Sequence, residues 1–243
     1  MSEELKGKTA IVTGASRGIG RAVATELAAR GASVVLGYVG NEARAKQAVK
    51  HIADKGGVAT ALRVDLSKTE DIVRFFDAAH EAYGQPDIVV ANAGDALAKP
   101  LVDCTEQDYE RIFGTNARGT FFTLREAALR VRDGGRIIAT STGGTNMWMT
   151  ELSLYLGSKG AVEQFVRVLS RELGARDIAV NAVSPGFTDT DMLPDRDREV
   201  AASASAFGRV GQPEDVAEVI AFLAGAGGRW VTGQNIAAGG GVF

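Results

Sequence analysis

The pattern of apolar and polar positions divides the chain into alternating short and long segments. Segments with helical periodicity separate seven apolar runs of strand length: KTAIVT, ASVVLGY, VATALRV, PDIVVAN, GRIIATST, IAVNAVS and QNIAAG. This alternation predicts strand–helix–strand units. The runs are apolar throughout, which is typical of parallel strands covered by helices on both faces. We therefore expect an α/β fold with one doubly wound parallel sheet of about seven strands.

Helix-start signals support this division of the chain. Thr105 with Asp108, and Ser67 with Glu70, have the spacing of capping boxes, in which side chains and backbone N–H groups bond reciprocally in the first turn. Pro213 is followed by two acidic residues, which suits the first turn of another helix.

The length and composition indicate a single domain. The chain has 243 residues, 45% of them hydrophobic, and contains no internal repeat, low-complexity tract or linker. We expect residues 1–243 to form one domain. Residues 187–211 have the least regular pattern, which interrupts the alternation and predicts a mobile lid over a site.

Charge and reactive residues narrow the classes of partner. The formal net charge of −3, without a long run of like charges, argues against nucleic acids and anionic membranes. We find no signal-peptide pattern and no apolar stretch of roughly 18 residues, so we expect a cytoplasmic protein. Cys104 is the single cysteine, and His51 and His80 are far apart, so we expect no metal site. The expected partner is a small molecule.

A glycine-rich turn follows the first predicted strand. The segment TGASRGIG places Gly14, Gly18 and Gly20 between this strand and a helix that begins near Gly18. Glycine lets the backbone approach a diphosphate closely, and the N-terminus of the helix offers free N–H groups and the positive end of its dipole. The spacing differs from G-x-G-x-x-G, but its position on the first strand-to-helix connection favours a dinucleotide site.

The residues around this turn favour NADPH over NADH. The second strand, ASVVLGYVGN, ends without the acidic residue that binds the adenosine ribose in an NAD site. Arg17 lies within the turn and is suited to pair with a 2′-phosphate. Asp65, at the end of the third strand, is placed either to accept a hydrogen bond from the adenine amine or to cap the next helix, for which Ser67 competes.

Several motifs together resemble the short-chain dehydrogenase/reductase family over nearly the whole chain. TGASRGIG resembles its cofactor turn, ANAG at 91–94 its NNAG segment, YLGSK its YxxxK signature, and SPGFTDT the loop at the nicotinamide end. GRVGQPEDVAEVIAFLA and VTGQNI are similar to the C-terminal helix and strand of 3-oxoacyl carrier-protein reductases and polyketide-type ketoreductases. The resemblance implies a Rossmann-type fold and an NAD(P)-dependent oxidoreductase acting on a CH–OH/ketone pair.

Tyr155 and Lys159 are four residues apart and share one face of a predicted helix. Such spacing also occurs in exposed pairs, but the resemblance implies a catalytic role. Reduction of a ketone needs a proton as charge develops on oxygen. An ammonium group at roughly 4 Å stabilises a phenolate by about 4 kcal/mol, which lowers the pKa of the phenol. We expect Tyr155 to be the general acid in reduction and the base in oxidation, with Lys159 tuning it and binding the nicotinamide ribose.

Two further polar positions complete the expected catalytic set. Asn116, in FGTNARGTFF, is similar to the family's active-site asparagine, which implies a proton relay through water to Lys159. The hydroxyl that orients the substrate carbonyl has two candidates. Thr142 lies 13 residues before Tyr155, the usual family interval, whereas Ser141 lies 14 residues before it and has the usual residue type. Adjacent strand residues point to opposite faces, so we expect only one of them to face the substrate.

The resemblance also implies contacts at the nicotinamide end. The Pro185–Gly186 turn places Thr188 and Thr190 where a backbone N–H and a hydroxyl hold the carboxamide, which selects the nicotinamide face. The predicted cofactor-binding residues are Gly14, Ser16, Arg17, Gly18, Ile19, Gly20, Tyr38, Asp65, Leu66, Asn92, Ala93, Gly94, Tyr155, Lys159, Pro185, Gly186, Thr188 and Thr190.

Two positions depart from the family pattern. Ala91 replaces an asparagine, which we expect to weaken a hydrogen bond between strands and to leave Asn92 and Gly94 beside the cofactor. Near the end of the chain, Gly239-Gly240-Gly241 replaces Asp-Gly-Gly. We expect this second change to affect contacts between subunits and to leave catalysis intact.

The sequence specifies the substrate less closely. Met147, Trp148 and Met149 lie between the strand-end hydroxyls and Tyr155, and an apolar wall there suits a bulky or aromatic ketone. Core or subunit packing explains such a cluster equally well. We expect an NADPH-dependent carbonyl reductase acting on a 3-oxoacyl, polyketide-like or aromatic ketone, either free or carrier-bound.

Two alternatives to this function stay open. One is an NAD-linked alcohol or sugar dehydrogenase, and the other is a non-catalytic nucleotide-sensing module. The intact Tyr155/Lys159 pair disfavours the second. For the assembly, the hydrophobic faces of the predicted helices at 105–131 and 152–173 suit packing in a homodimer or homotetramer.

Overall fold

A single parallel sheet organises the computed structural model, which describes residues 3–147 and 149–243. Numbered along the chain, its seven strands lie in the order 3-2-1-4-5-6-7, and all neighbouring strands are parallel. Each of the seven predicted apolar runs overlaps one strand, so the expected Rossmann-type sheet is confirmed. The strands are β1 (Thr9–Val12), β2 (Ser33–Tyr38), β3 (Val58–Arg63), β4 (Ile88–Ala91), β5 (Arg136–Thr140), β6 (Ala179–Pro185) and β7 (Asn235–Ala238).

Helices connect consecutive strands and cover both faces of the sheet. A π-helical segment, Gly114–Gly119, joins the fourth α-helix to the fifth. The α-helices are α1 (Gly18–Ala29), α2 (Glu42–Asp54), α3 (Thr69–Tyr83), α4 (Glu106–Phe113), α5 (Thr120–Arg130), α6 (Ser153–Glu172), α7 (Arg198–Ala204) and α8 (Pro213–Ala224).

Two of the three helix-start predictions are confirmed. Thr105 and Asp108 form the predicted capping box at α4, and Pro213 occupies the first turn of α8. The prediction for Ser67 and Glu70 is wrong. The helix α3 begins at Thr69 without a side-chain cap, because the Ser67 hydroxyl instead donates to the Asp65 carboxylate over 2.7 Å.

Two hydrophobic cores lie on opposite faces of the sheet. One core contains buried residues of α1, α2 and α8, and the other contains buried residues of α3, α5 and α6. Neighbouring strand residues divide between the cores: Val12 of β1 belongs to the first and Ile11 to the second. This alternation follows from the opposite directions of successive side chains in a strand. Burial on both faces explains why the strand sequences are uniformly apolar.

The chain reverses its direction of growth across the sheet at β1. It passes from β1 to β2 and β3 on one side, and then returns to place β4 on the other side of β1. In such sheets a crevice forms outside the carboxyl ends of the strands at this switch point. Residues 187–211 connect β6 to α8; they include α7 and are tied together by pairing of Thr188 with Gly211.

Two further properties refer only to residues 3–147 and 149–243. Over these ranges, no helix combines the length and apolar character needed to cross a bilayer. The same ranges contain no group of three histidine, cysteine, aspartate or glutamate residues arranged to hold a metal ion. Trp148, part of the predicted apolar wall, lies outside the described residues.

Candidate active site

The predicted site residues follow four neighbouring strands at one edge of the sheet. The glycine turn follows β1, Asn92–Gly94 follows β4, Ser141 and Thr142 follow β5, and the Pro185–Gly186 turn ends β6. Since all these strands are parallel, their carboxyl ends lie at the same edge. The fold therefore brings together residues as far apart in the sequence as Gly14 and Gly186, which are 172 positions apart.

The glycine turn packs tightly against the segment after β4. Gly14 has φ 65°, a left-handed conformation, and a Cβ there would lie 2.7 Å from Cα of Ala93. A Cβ on Gly20 would collide with the carbonyl oxygen of Gly14 and would lie 2.5 Å from Nδ2 of Asn92. Any larger residue at these two positions would push the turn away from β4. Both glycines are therefore required by the local geometry.

The N-terminus of α1 is suited to a diphosphate. Arg17 occupies the N-cap position, and its side chain makes no capping hydrogen bond to the first N–H groups of α1. Gly18 has φ 53°, and a Cβ there would lie 3.2 Å from Cγ2 of Thr190. Uncapped N–H groups beside close-packed glycines match the needs of an anionic group that approaches the backbone. Ser16 and Ile19 lie on the same turn, so the predicted residues present here fit the diphosphate of a dinucleotide.

The predicted adenosine contacts lie at the ends of β2 and β3. Tyr38 ends β2 and is in register with Arg63 of β3, while Leu66 is buried just beyond it. The Asp65 carboxylate accepts hydrogen bonds from the hydroxyl and the backbone N–H of Ser67, at 2.7 and 3.1 Å. These bonds lower the pKa of Asp65. Asp65 therefore organises the turn before α3, and its contact with adenine stays a prediction.

Arg17 forms an ion pair that the sequence did not reveal. Its Nη1 lies 2.8 Å from Oδ2 of Asp191, in the loop after β6. Nη1 of Arg44, on α2, lies 2.7 Å from the same oxygen. Two guanidinium groups from different parts of the chain therefore converge on one carboxylate beside the glycine turn.

Asn92 links β4 to both of the neighbouring strands. Its Nδ2 donates to the carbonyl oxygens of Thr13 and Gly14, at 3.1 and 3.3 Å, and its Oδ1 accepts from the Thr140 hydroxyl at 3.2 Å. Ala91 was expected to weaken a connection between strands. The hydrogen bonds of Asn92 show how the connection is made one residue later in this chain.

Lys159 is buried next to the segment after β4. Its Nζ donates to the carbonyl oxygen of Thr140 over 2.7 Å. A Cβ on Gly94 would lie 3.2 Å from this nitrogen and 3.3 Å from Oδ1 of Asn116. Burial lowers the pKa of Lys159 to about 8, because the ammonium group loses hydration. At neutral pH this lysine is still mainly protonated.

Tyr155 lies one helical turn before Lys159 on α6. Burial raises the pKa of its phenol above the ordinary value, and a hydrogen bond with the Thr142 side chain opposes that increase. The sequence had led us to expect a lowered pKa because of Lys159. The direction in the structure is the opposite, since loss of hydration outweighs the favourable interactions of the phenolate.

The adjacent hydroxyls of Ser141 and Thr142 have different partners. Oγ of Ser141 donates to Oε1 of Glu163 over 2.8 Å, and Oγ1 of Thr145 donates to the same oxygen over 2.7 Å. The Thr142 hydroxyl instead lies with the Tyr155 phenol and accepts a bond from the backbone N–H of Gly144 at 3.2 Å. The geometry favours Thr142 as the hydroxyl beside the Tyr155 phenol.

Asn116 lies in the π-helical segment between α4 and α5 and has no exposed surface. Its Nδ2 donates to the carbonyl oxygen of Asp95 and to Oγ of Ser158, at 2.8 and 3.0 Å, and its Oδ1 accepts from the N–H of Asp95 at 2.8 Å. Its side chain therefore fixes the segment after β4 against α6. Short π-helical segments are frequent at functional sites, and the predicted water relay through Asn116 stays a prediction.

The loop after β6 lies beside both parts of the site. Thr188 is buried, and its hydroxyl donates back to the carbonyl oxygen of Gly186 over 3.0 Å. Thr190 contacts Gly18 of the cofactor turn, and its hydroxyl accepts from the N–H of Met192 at 3.3 Å. The contact between Thr190 and Gly18 brings this loop to the expected diphosphate site. The carboxamide contacts of these threonines stay a prediction.

Four residues of the site were missed by the sequence analysis. Glu163 had a usable signal, because it follows Tyr155 and Lys159 at helical spacing. Arg44 and Asp191 had none, because their pairing depends on how the start of α2 and the loop after β6 fold together. Phe243 also had none. Its ring packs so closely on Gly143, next to Thr142, that a Cβ at that position would clash with it.

Comparison with known proteins agrees with this architecture. A family model described as Enoyl-(Acyl carrier protein) reductase matches residues 14–243. The hydroxynaphthalene reductase-like protein Arp2 of Metarhizium majus (strain ARSEF 297) is 42% identical, with alignment over 96% of this chain and 93% of that protein.

Two solved structures are similar over almost their whole length. One is a short chain dehydrogenase from Burkholderia cenocepacia J2315 in complex with NADP, with 37% identity, a TM-score of 0.95 and coverage of 98% of this chain and 99% of that one. The other is the angucycline C-6 ketoreductase LanV with bound NADP, with 38% identity, a TM-score of 0.94 and coverage of 100% and 98%.

The chain belongs to the short-chain dehydrogenase/reductase family. It is a short-chain oxidoreductase that resembles polyketide-type ketoreductases, which confirms the family, fold and enzyme class expected from the motifs. The comparisons identify reductases among its relatives and NADP in the structures of its neighbours.

Proposed function

We propose that the protein is an NADPH-dependent carbonyl reductase in which Tyr155 is the general acid. The observation that carries this proposal is the position of the three-residue segment Asn92–Gly94. Ala93 packs against Gly14 of the cofactor turn, and Gly94 packs against Nζ of Lys159. The expected diphosphate site and the proton-donating pair are therefore held together by one short, hydrogen-bonded segment.

Different residues of this chain would bind different parts of the dinucleotide. The glycine turn and the N-terminus of α1 would hold the diphosphate, Arg17 the 2′-phosphate, Lys159 the nicotinamide ribose, and Thr188 with Thr190 the carboxamide. When bound, NADPH supplies the hydride that reduces the carbonyl carbon. The similar solved structures that contain NADP support this choice of cofactor.

Tyr155 and its neighbours supply the proton. Burial raises the pKa of the phenol, so its proton is released only with help from groups that stabilise the phenolate. Thr142 orients the substrate oxygen and stabilises the phenolate once the proton has left. Lys159 contributes positive charge close to this phenolate, and the segment around Asn116 provides the route by which a proton returns from solvent.

The proposed substrate is a bulky, polyketide-like or aromatic ketone. Phe243 packs on Gly143 next to Thr142, and a cavity of about 400 Å³ lies between residues 187–219 and the end of the chain, with Phe187, Phe207 and Phe243 in its lining. Aromatic side chains favour planar apolar ligands. A second structure of LanV contains rabelomycin with NADP. We propose that residues 187–211 close over such a substrate.

The exposed apolar residues of α5 and α6 support a homo-oligomer. Phe121, Leu129 and Val168 are between 45% and 64% exposed, although both helices also contribute to the core. Packing of a second copy on these helices would remove this apolar surface from water. Light scattering of the purified protein tests this part of the proposal, and a monomer at micromolar concentration would contradict it.

The test of the proposed function combines kinetics with cofactor binding. A panel of aromatic and 3-oxoacyl ketones is assayed by the loss of NADPH absorbance, with NADH in parallel. Tyr155→Phe should reduce kcat by at least about a hundredfold, because general acid catalysis typically contributes that much. Its affinity for NADPH should change less than about threefold. Unchanged turnover in this variant would refute the general-acid role, and a preference for NADH would refute the cofactor assignment.

A further inference from the structure

Arg17, Arg44 and Asp191 form an ion cluster at the edge of the proposed dinucleotide site. Both guanidinium groups donate to one oxygen of Asp191, at 2.8 and 2.7 Å. The three residues come from the N-cap of α1, the first turns of α2, and the loop after β6. This cluster therefore joins the two elements that follow β1 and β2 to the proposed lid.

The cluster has the electrostatic properties of an anion site. Two guanidinium groups this close repel each other unless an anion lies between them. They also hold the pKa of Asp191 below its ordinary value, with Arg44 making the larger contribution. The side chains are 57%, 48% and 53% exposed, so an anion from solvent has access to both arginines.

The position of the cluster specifies which anion it would accept. Arg17 directly precedes the uncapped N-terminus of α1, where the diphosphate is expected. Arg44 follows β2, whose end lacks the acidic residue that would bind an unmodified ribose. The Asn41 side chain caps α2 by accepting from the N–H of Arg44 at 2.9 Å, which fixes the start of this helix. A phosphate on the adenosine ribose is the anion expected between these elements.

We propose that Arg44 acts together with Arg17 to select the 2′-phosphate of NADPH, and that the Asp191 carboxylate occupies the place of this phosphate until the dinucleotide binds. The inference rests on the proposed function, because it assumes a dinucleotide with a 2′-phosphate. It adds Arg44 as a second residue that determines cofactor specificity, and Asp191 as a carboxylate that competes with the 2′-phosphate for both arginines. Since Thr188 and Thr190 lie on the same loop as Asp191, displacement of the carboxylate also frees that loop to close over the nicotinamide end.

The test measures binding without turnover. Isothermal titration calorimetry of the full chain gives the Kd of adenosine 2′,5′-bisphosphate and of 5′-AMP, which differ only in the 2′-phosphate. Arg44→Gln should weaken the bisphosphate about tenfold or more and change 5′-AMP less than about twofold, because a guanidinium pairs strongly with phosphate. Lys46→Gln is the matched control, since it removes one positive charge from the same helix at a residue paired with Glu42.

A second variant tests the competition. Asp191→Asn should tighten the bisphosphate by about threefold to tenfold, because exposed ion pairs are individually weak. This gain should disappear in the Arg44→Gln/Asp191→Asn double variant and should shrink at high salt. Asp189→Asn removes the same charge from the same loop, but its carboxylate pairs with Arg198 at 2.8 Å, so it should have little effect.

The outcomes separate the inference from the proposed function. If the wild-type protein binds the bisphosphate no more tightly than 5′-AMP, the NADPH assignment itself is wrong. If the wild type prefers the bisphosphate and Arg17→Gln removes this preference while Arg44→Gln does not, the assignment stands and the role of Arg44 is refuted. Equal affinities for Asp191→Asn and wild type would overturn the competition by Asp191.

Discussion

The Ser141 hydroxyl donates a hydrogen bond to the buried Glu163 carboxylate, with 2.8 Å between Oγ and Oε1. This bond commits Ser141 to α6 and leaves the neighbouring Thr142 beside the Tyr155 phenol. Residue type favoured the serine as the substrate-orienting hydroxyl, and the interval to Tyr155 favoured the threonine. The hydrogen bonding of the folded chain agrees with the interval, and it leads to different expectations for the two positions.

Thr142→Val should impair catalysis more than Ser141→Ala. Valine keeps the shape of threonine but removes the hydroxyl that we propose orients the carbonyl, so we expect kcat to fall by about a hundredfold. Ser141→Ala should lower kcat by less than about tenfold, because its hydroxyl bonds to Glu163. Steady-state kinetics with a reactive ketone, together with circular dichroism to check folding, measures the difference. The reverse order of the two effects would identify Ser141 as the orienting residue.

Glu163 should act through the position of the loop that carries Thr142. Glu163→Gln keeps an oxygen that accepts from Ser141 and Thr145, so kcat should stay within about threefold of wild type. Glu163→Leu leaves two hydroxyls without their acceptor, and we expect a loss of about 2 kcal/mol in the free energy of unfolding and a lower kcat. Urea denaturation and kinetics measure both effects. Equal damage from both variants would indicate that the negative charge itself is required.

The buried ammonium group of Lys159 should make stability depend on pH. The ordinary pKa of lysine is 10.5, and burial lowers the pKa of Lys159 to about 8. Between these values the unfolded chain binds more protons than the folded chain, so this group makes folding more favourable as the pH rises from 8 to 10.5. Relative to Lys159→Met, the free energy of unfolding of the wild type should increase by about 3 kcal/mol over this window.

Denaturant unfolding at several pH values between 7.5 and 10.5, without cofactor, measures this difference. The variant is the reference because it retains the other titrating groups of the chain. A difference between the two proteins that stays constant with pH would show that the ammonium group is well hydrated in the folded state.

Gly20→Ala should destabilise the cofactor turn. The added methyl group would collide with the Gly14 carbonyl oxygen and crowd Nδ2 of Asn92, both of which are held by backbone or hydrogen bonds. We expect a loss of about 1–3 kcal/mol in the free energy of unfolding and weaker dinucleotide binding. Gly174→Ala is the control, because a Cβ there meets no neighbouring atom. Equal stability of the two variants in thermal denaturation would contradict the tight packing of the turn.

The sheet was predictable because its strands are buried on both faces. Residues such as Ile11 and Val12 face different cores, so the whole run is apolar and its type is clear from the sequence. The helix start near residue 67 was not predicted correctly, because the Ser67 hydroxyl donates to the Asp65 carboxylate two residues earlier and does not cap α3. Local patterns fail where two polar partners are available within a few residues.

The chemistry of the site was only partly predictable. The motif spacing located Tyr155 and Lys159, but the pKa of Tyr155 depends on how much hydration the folded chain removes, which spacing does not specify. In the same way, the contact of Arg44 with Asp191 spans 147 positions and depends on where the chain places the start of α2 and the loop after β6. Sequence motifs identified the residue types, and tertiary packing determined their electrostatic environment.

The segment Asn92–Gly94 fixes the distance between the two halves of the proposed site. Because it touches the glycine turn on one side and the lysine on the other, an insertion or deletion there would shift the electron donor and the proton source relative to each other. The 187–211 connection and the final residues of the chain line the proposed substrate cavity and lie outside this segment. Substrate preference can therefore be redesigned in those two regions while the spacing needed for reduction is kept.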